Sequence, residues 1–257
     1  MKGPVLRVES LSKAFGGVQA VQEVTFSVAA GSICAVIGPN GAGKSTLFNL
    51  LTNLYPPDRG AVFLRGQRIT GLRPWQVAQL GIFRTFQTSR VFPHMTVLDN
   101  VMVGAHRWSR AGLIEQMLGM GRTRSEEAAM RARAFALLEV FGLSHRARDP
   151  AEVLPLAGQK YLELARALMS EAEVLLLDEP AAGMNDAETL ELAQFLRAVQ
   201  ETGRTVVVVE HNLSLVMGIA QQVVVMDAGR VIADGVPEAV QRDPTVIAAY
   251  FGKAGRA

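Results

Sequence analysis

The chain has a single cysteine, Cys34, in 257 residues, so no disulfide can close within it and the fold must rest on its apolar core. That thiol lies in an apolar, partly β-branched stretch and reads as a small core residue in a reducing compartment. Long apolar runs are also missing: nothing approaches the roughly 18 consecutive residues of a spanning helix. No signal-like segment precedes the first strand-like residues after Met1-Lys2-Gly3-Pro4. A cytoplasmic chain that does not itself cross a membrane is expected. Neither sign of charge dominates, since 26 basic residues stand against 24 acidic ones. This balance leaves no basic footprint for nucleic acid as the main partner. Repeats and low-complexity tracts are absent as well. What the chain does have is apolar residues, 49% of the total. With a positive mean hydropathy, that suits a subunit which covers an apolar surface against a partner. The length suits one core carrying a smaller subdomain.

The strongest local signal is Gly38-Pro39-Asn40-Gly41-Ala42-Gly43-Lys44-Ser45-Thr46, which fits the phosphate-loop pattern G-x-x-x-x-G-K-[ST] without a mismatch. Ile33-Cys34-Ala35-Val36-Ile37 before it reads as a buried strand and Leu47-Phe48-Asn49-Leu50-Leu51 after it as a helix, the context the pattern requires. The glycines let backbone N–H groups turn onto phosphates at a helix N-terminus, where negative charge is favoured. Lys44 is expected to reach the β- and γ-phosphates of a nucleotide, and the Ser45 hydroxyl to ligate Mg²⁺.

Ahead of the loop, Val5-Leu6-Arg7-Val8-Glu9 and Val24-Thr25-Phe26-Ser27-Val28 alternate as strands of a small antiparallel sheet. Phe15, in the turn between them, either stacks on an adenine or packs under the turn as core. A hairpin over Ala61-Val62-Phe63-Leu64 and Gln67-Arg68-Ile69 follows, then a short helix after Pro74. A strand over Ile82-Phe83-Arg84-Thr85-Phe86 delivers Gln87 at its end. Gln87 is positioned to meet Mg²⁺ or an attacking water, or it is an ordinary surface amide.

From residue 97 to 143 helix-like spacing takes over. Within that insertion, residues 107–124 carry four arginines around Leu113, Ile114, Met117 and Leu118. They read as a solvated helix with one packed face, or as a contact for a membrane partner or lipid headgroups. Val174-Leu175-Leu176-Leu177 is a buried strand running into Asp178-Glu179, and Thr205-Val206-Val207-Val208-Val209 is another, running into Glu210-His211. Acids and a histidine at the carboxyl ends of parallel strands stand where open α/β sheets bind ligands. Asp178 is expected to hold Mg²⁺, Glu179 to take the proton of the water that attacks the γ-phosphate, and His211 to hydrogen-bond that phosphate or the water.

This series resembles the ATP-binding subunit of ABC transporters, and the likeness covers nearly the whole chain. It implies an α/β fold: a P-loop NTPase core with an N-terminal antiparallel β-subdomain and an inserted α-helical subdomain over about residues 88–160, all within one ABC ATPase domain over residues 1–257. Arg84-Thr85-Phe86-Gln87, residues 92–101, Pro180-Ala181-Ala182-Gly183-Met184-Asn185 and the ending Val246-Ile247-Ala248-Ala249-Tyr250-Phe251-Gly252 look like the branch that imports branched-chain amino acids, urea or short amides. The resemblance implies ATP and Mg²⁺ as cofactors, and a second such subunit, identical or not, meeting this one head to tail. It also implies membrane permease subunits at the groove near Gln87 and residues 92–95, and, indirectly, a solute-binding protein outside. The chain would then sit peripherally on the cytoplasmic face of the inner membrane. Competing readings are the ATPase of a lipid or lipopolysaccharide exporter, and a catalytically weak partner in a heterodimer. DNA-repair and ribosome-associated relatives need a long coiled-coil insertion or tandem cassettes, which 257 residues do not hold.

One departure concerns the family's LSGGQ signature, which falls on Leu154-Pro155-Leu156-Ala157-Gly158, or one residue later on Pro155-Leu156-Ala157-Gly158-Gln159. In either register the serine is missing, and neither proline nor leucine offers a hydroxyl. The N–H groups of Ala157 and Gly158 remain to meet a phosphate. A slower composite site, or a heterodimer with one complete site, is expected. Lys44→Ala is predicted to abolish nucleotide binding in a fluorescent-ATP titration; affinity within about threefold of the parent would remove the phosphate loop from the account.

Overall fold

The computed structural model describes residues 3–85, 91–107 and 121–251. The chain divides into two compact units, Met1–Arg84 with Glu173–Ala257, and Thr85–Ala172. No described helix is long and apolar enough to cross a membrane.

In the first unit, β1 (Pro4–Phe15) and β2 (Val18–Ala29) form a long antiparallel hairpin, and β3 (Ile33–Ile37) then leaves for a second sheet. β4 (Arg59–Leu64) and β5 (Gln67–Arg68) return to complete the order β2-β1-β4-β5. Alternation alone shows strands of half that length. Register shifts between Val8 and Leu11 and between Lys13 and Ala14 break the period of two, and Ser10 and Glu23 sit at positive φ, as bulged strands do. Leu6, Val8 and Leu11 nonetheless stay buried against Val24, Phe26 and Val28. The exposed carboxylate of Asp58 accepts from Lys13 Nζ and the Ala14 N–H, both at 2.8 Å, and these bonds hold its pKa below the usual range. They fasten the end of β1, where Phe15 emerges.

The second sheet takes β6 (Ile82–Arg84), β7 (Val174–Asp178), β8 (Thr205–Val209), β9 (Gln222–Asp227) and β10 (Arg230–Gly235) in the order β10-β9-β3-β8-β7-β6. All neighbours are parallel except β10, which runs antiparallel to β9. Every residue of β3, β7 and β8 is buried, which is why these segments read as unbroken apolar runs. Burial also pushes the Cys34 thiol up, out of the reactive range. The helix Lys44–Leu51 follows β3 and buries Leu47, Phe48, Leu50 and Leu51. The helix Asp186–Glu201 opens with a capping box, Asn185 Oδ1 accepting from the Glu188 N–H at 3.0 Å and Glu188 Oε2 from the Asn185 N–H at 2.9 Å. A short helix, Leu213–Ile219, capped by Asn212, has no counterpart in the sequence reading.

The second unit is helical in its described parts: Val97–Val103, Gly121–Val140 and Leu156–Met169 pack around Val97, Val101, Ala134, Leu138 and Leu162. Asn100 is fully buried; it accepts from the Phe92 N–H and donates to the carbonyls of Phe92, Met95 and Thr96, so one side chain folds residues 92–96 back onto the helix they precede. Gly104 ends that helix where an added Cβ would lie 2.3 Å from the Arg166 carbonyl oxygen. Gly104→Ala is therefore expected to lower the melting temperature by about 5 °C. Gly218→Ala, with open space around it, should leave it unchanged or slightly raised in the same calorimetric scan.

Candidate functional site

The strands β3, β8 and β7 come level at one row, where Val36 pairs with Val209 and Val209 with Asp178. The chain therefore leaves all three at the same edge, and the phosphate loop, Asp178-Glu179 and Glu210-His211 gather there. Two glycines are demanded by contact. A Cβ on Gly38, at φ +152°, would lie 2.1 Å from the Met226 carbonyl oxygen, and one on Gly43, at φ +100°, would lie 2.3 Å from that of Ala20. Any larger residue would push the loop off the strands beside it. The Gly229 N–H donates to Ala42 C=O at 3.1 Å and the Leu47 N–H to Gly43 C=O at 2.8 Å, fixing the loop at both ends of its turn.

Lys44 is buried, and its ammonium donates to the carbonyls of Gly38 at 2.7 Å and Pro39 at 3.1 Å. Burial lowers its pKa, against the opposing fields of Glu179 and Asp178. Beside it lies a cavity of about 540 Å³ whose wall includes residues 40–46, Glu179, His211, Val18 and Gln19. Glu179 Oε1 and His211 Nε2 are 2.8 Å apart and share a hydrogen bond. Glu179 has φ 49°, a left-handed conformation that costs a non-glycine residue about 1–3 kcal/mol. Its N–H donates to the Val209 carbonyl at 2.9 Å.

Asp178 is buried, and its Oδ2 lies 3.1 Å from the guanidinium of Arg84. Arg84 also donates to Asn49 Oδ1 at 2.7 Å and stands over the Phe48 ring. The sequence reading had Arg84 only inside a motif. The available signal is a cation within a short, largely apolar strand, where an enclosed charge requires a partner. Glu210, which the sequence marks only as the neighbour of His211, is also buried, and its carboxylate accepts backbone N–H bonds from Ala181 and His211. Val18 and Gln19 had no signal in the sequence.

Phe15 does not itself line the cavity. Its ring is 42% exposed and meets Tyr55 edge-on at 5.4 Å, with Lys13 Nζ 5.5 Å from its centre. Gln87 and residues 108–120 lie outside the described residues. In the second unit, Pro155 caps the helix Leu156–Met169, Gly158 is buried and Leu156 is 49% exposed. The first intrahelical bond runs from the Gln159 N–H to Pro155 C=O at 3.0 Å, which leaves the N–H groups of Leu156, Ala157 and Gly158 as the open donors of a helix start.

Comparison with known proteins decides what this arrangement belongs to. Residues 21–182 match the family described as ABC transporter. The chain is 40% identical to the high-affinity branched-chain amino acid transport ATP-binding protein LivG of Escherichia coli K12, over 99% of this chain and 100% of that one. The chain belongs to the ABC transporter family of ATP-binding proteins. BraF of Pseudomonas aeruginosa is 40% identical over the same shares, and residues 230–256 match the family described as branched-chain amino acid ATP-binding cassette transporter. Among solved structures, a nucleotide-free ABC cassette superposes with a TM-score of 0.83 at 32% identity, covering 96% of this chain and 99% of that one. The ADP conformation of MJ1267, an ATP-binding cassette of an ABC transporter, gives 0.83 at 31%, covering 98% and 100%. The chain is thus a P-loop ATPase that binds nucleotide.

The oxygen donors at this ABC edge suit magnesium. No group of three or more histidine, cysteine or acidic side chains poised for a metal occurs among the described residues. Ser45 and Asp178 supply a hydroxyl and a carboxylate, oxygen donors of the kind magnesium favours. Replacing Arg84 by methionine removes the buried ion pair it makes with Asp178, so Arg84→Met is predicted to lower stability by about 3 kcal/mol in urea unfolding. An unchanged midpoint would mean that Asp178 does not depend on the guanidinium.

Proposed function

We propose that this chain is the ATP-hydrolysing subunit of an importer for branched-chain amino acids or related small polar solutes. The observation that carries the reading is the end-to-end likeness to LivG and BraF, proteins named for branched-chain amino acid transport, together with the C-terminal match described in the same terms.

In this reading the N–H groups of residues 38–46 and the Lys44 ammonium hold the nucleotide phosphates. Phe15 and Val18 offer apolar surface to the base. Ser45 and Asp178, with Gln87, hold Mg²⁺, which neutralises phosphate charge when bound. Glu179 takes a proton from water as that water's oxygen bonds to the γ-phosphorus and the bond to ADP breaks. His211, hydrogen-bonded to Glu179 at 2.8 Å, orients the carboxylate and offers its ring to the phosphate. The cassette is taken as one domain, with about residues 88–160 as its helical subdomain.

Two subunits meeting head to tail would bring Ala157 and Gly158 of each to the other's nucleotide. Closure on ATP is then driven by binding and reversed by hydrolysis. Permease subunits dock near Gln87 and residues 92–95, a solute-binding protein acts from outside, and nucleic acid has no part. The chain works as a peripheral subunit on the cytoplasmic membrane face. The exposed Leu156 in place of a signature serine favours either slow turnover or pairing with a second, unlike ATPase that completes one site.

The test is uptake of radiolabelled leucine in a strain lacking the gene. The parent chain should restore it, while Glu179→Gln should bind ATP normally, hydrolyse it at least about 100-fold more slowly and leave uptake at the deletion level. Restored uptake of other solutes with leucine unaffected would overturn the substrate; a Glu179→Gln protein that turns over like the parent would overturn the assigned base.

A further inference from the structure

We propose that Glu210 is a positioning residue for hydrolysis, its buried carboxylate tying the loop that follows Glu179 to the segment that carries His211. The inference rests on the reading that Glu179 and His211 act on bound nucleotide.

Glu210 is 3% exposed. Its Oε1 accepts from the Ala181 N–H at 2.7 Å, and its Oε2 accepts from the N–H of His211 at 3.0 Å and, at a longer 3.4 Å, of Asn212. One carboxylate therefore takes backbone donors from the two segments whose side chains meet at 2.8 Å. The neighbouring residue repeats the grip, because the Val209 carbonyl accepts the Glu179 N–H at 2.9 Å. Glu179 is held on both sides, by Val209 at its own nitrogen and by Glu210 two residues on. A turn closes between them, the Ala182 N–H donating to Glu179 C=O at 3.1 Å.

Such holding is needed, because Glu179 has φ 49° and a left-handed non-glycine residue persists only where its surroundings over-determine it. The chemistry also calls for a carboxylate. Both oxygens must accept, and an amide in the same place would aim an N–H₂ group at backbone donors on one side. Burial raises the pKa of Glu210, and the three backbone N–H donors oppose that rise.

A double-mutant cycle in the full-length protein tests this. Parent, Glu210→Gln, His211→Ala and the double variant are compared in single-turnover and steady-state ATP hydrolysis, each with a thermal melt. Glu210→Gln is expected to lower kcat about 10- to 100-fold with KM for ATP within about twofold, and to lower the residual rate of His211→Ala by less than about twofold. Glu210→Asp, which keeps the charge and shortens the reach, should follow the same pattern. Equal losses in both backgrounds, a change in KM alone, or an unchanged kcat would overturn the proposal. So would failure of both Glu210 variants to fold, since the carboxylate would then be an anchor of the core. If His211→Ala hydrolyses like the parent, the underlying assignment of His211 is overturned and this inference goes with it; additive losses overturn the inference alone.

Discussion

The parallel register of β3, β8 and β7 is the constraint on which the site depends. With Val36, Val209 and Asp178 in one row, the next residues of each chain segment leave the sheet together, and Gly38, Glu179 and Glu210 start from one edge. A slip of a single residue would turn each strand's side chains to the opposite face. The row is held by the backbone pairing of strands that are buried on both faces. Val206, Val207, Val208 and Val209 are all fully buried, each worth roughly 1.5–3 kcal/mol. That sum far exceeds the about 1–3 kcal/mol of backbone strain at Glu179, so the sheet can hold a conformation the residue alone would not keep.

Charge is placed in the same economical way. The described interior around the edge is apolar except where a charged group has a defined task. Arg84 comes from β6, the strand beside the one that ends in Asp178, and Glu210 from the segment after β8 that also carries His211. Both side chains are largely enclosed, where an unpartnered charge is expensive, and each meets specific partners, Arg84 with Asp178 and Asn49, Glu210 with backbone N–H groups. Lys44 is likewise enclosed by the carbonyls of its own loop. The edge therefore gathers its charged groups in one place, each already held by specific partners.

Much of this was legible in the sequence because its signals are local. The phosphate loop is a contiguous pattern, and the strands that deliver Asp178-Glu179 and Glu210-His211 are unbroken apolar runs. What stayed hidden depends on residues far apart in the chain. Arg84 meets Asp178 across 94 positions, and Glu210 meets Ala181 across 29. The wall formed by Val18 and Gln19 exists only because the β1–β2 hairpin is longer than its alternation shows, and bulges at Ser10 and Glu23 erase that alternation. The helix Leu213–Ile219 is short and carries Gly218, too little for helical periodicity to register. Local pattern does not decide between stacking and packing for Phe15, because its edge-on partner Tyr55 is 40 positions on in the numbering.

The central claim is that nucleotide is held at this edge with its terminal phosphate between Lys44 and the Glu179–His211 pair. A crystal structure of the Glu179→Gln protein soaked with Mg²⁺ and ATP tests it most directly. The account predicts intact ATP, with Lys44 Nζ and His211 Nε2 both within about 3 Å of γ-phosphate oxygens. A γ-phosphate bound elsewhere, with His211 still turned to residue 179 and distant from it, would contradict the account.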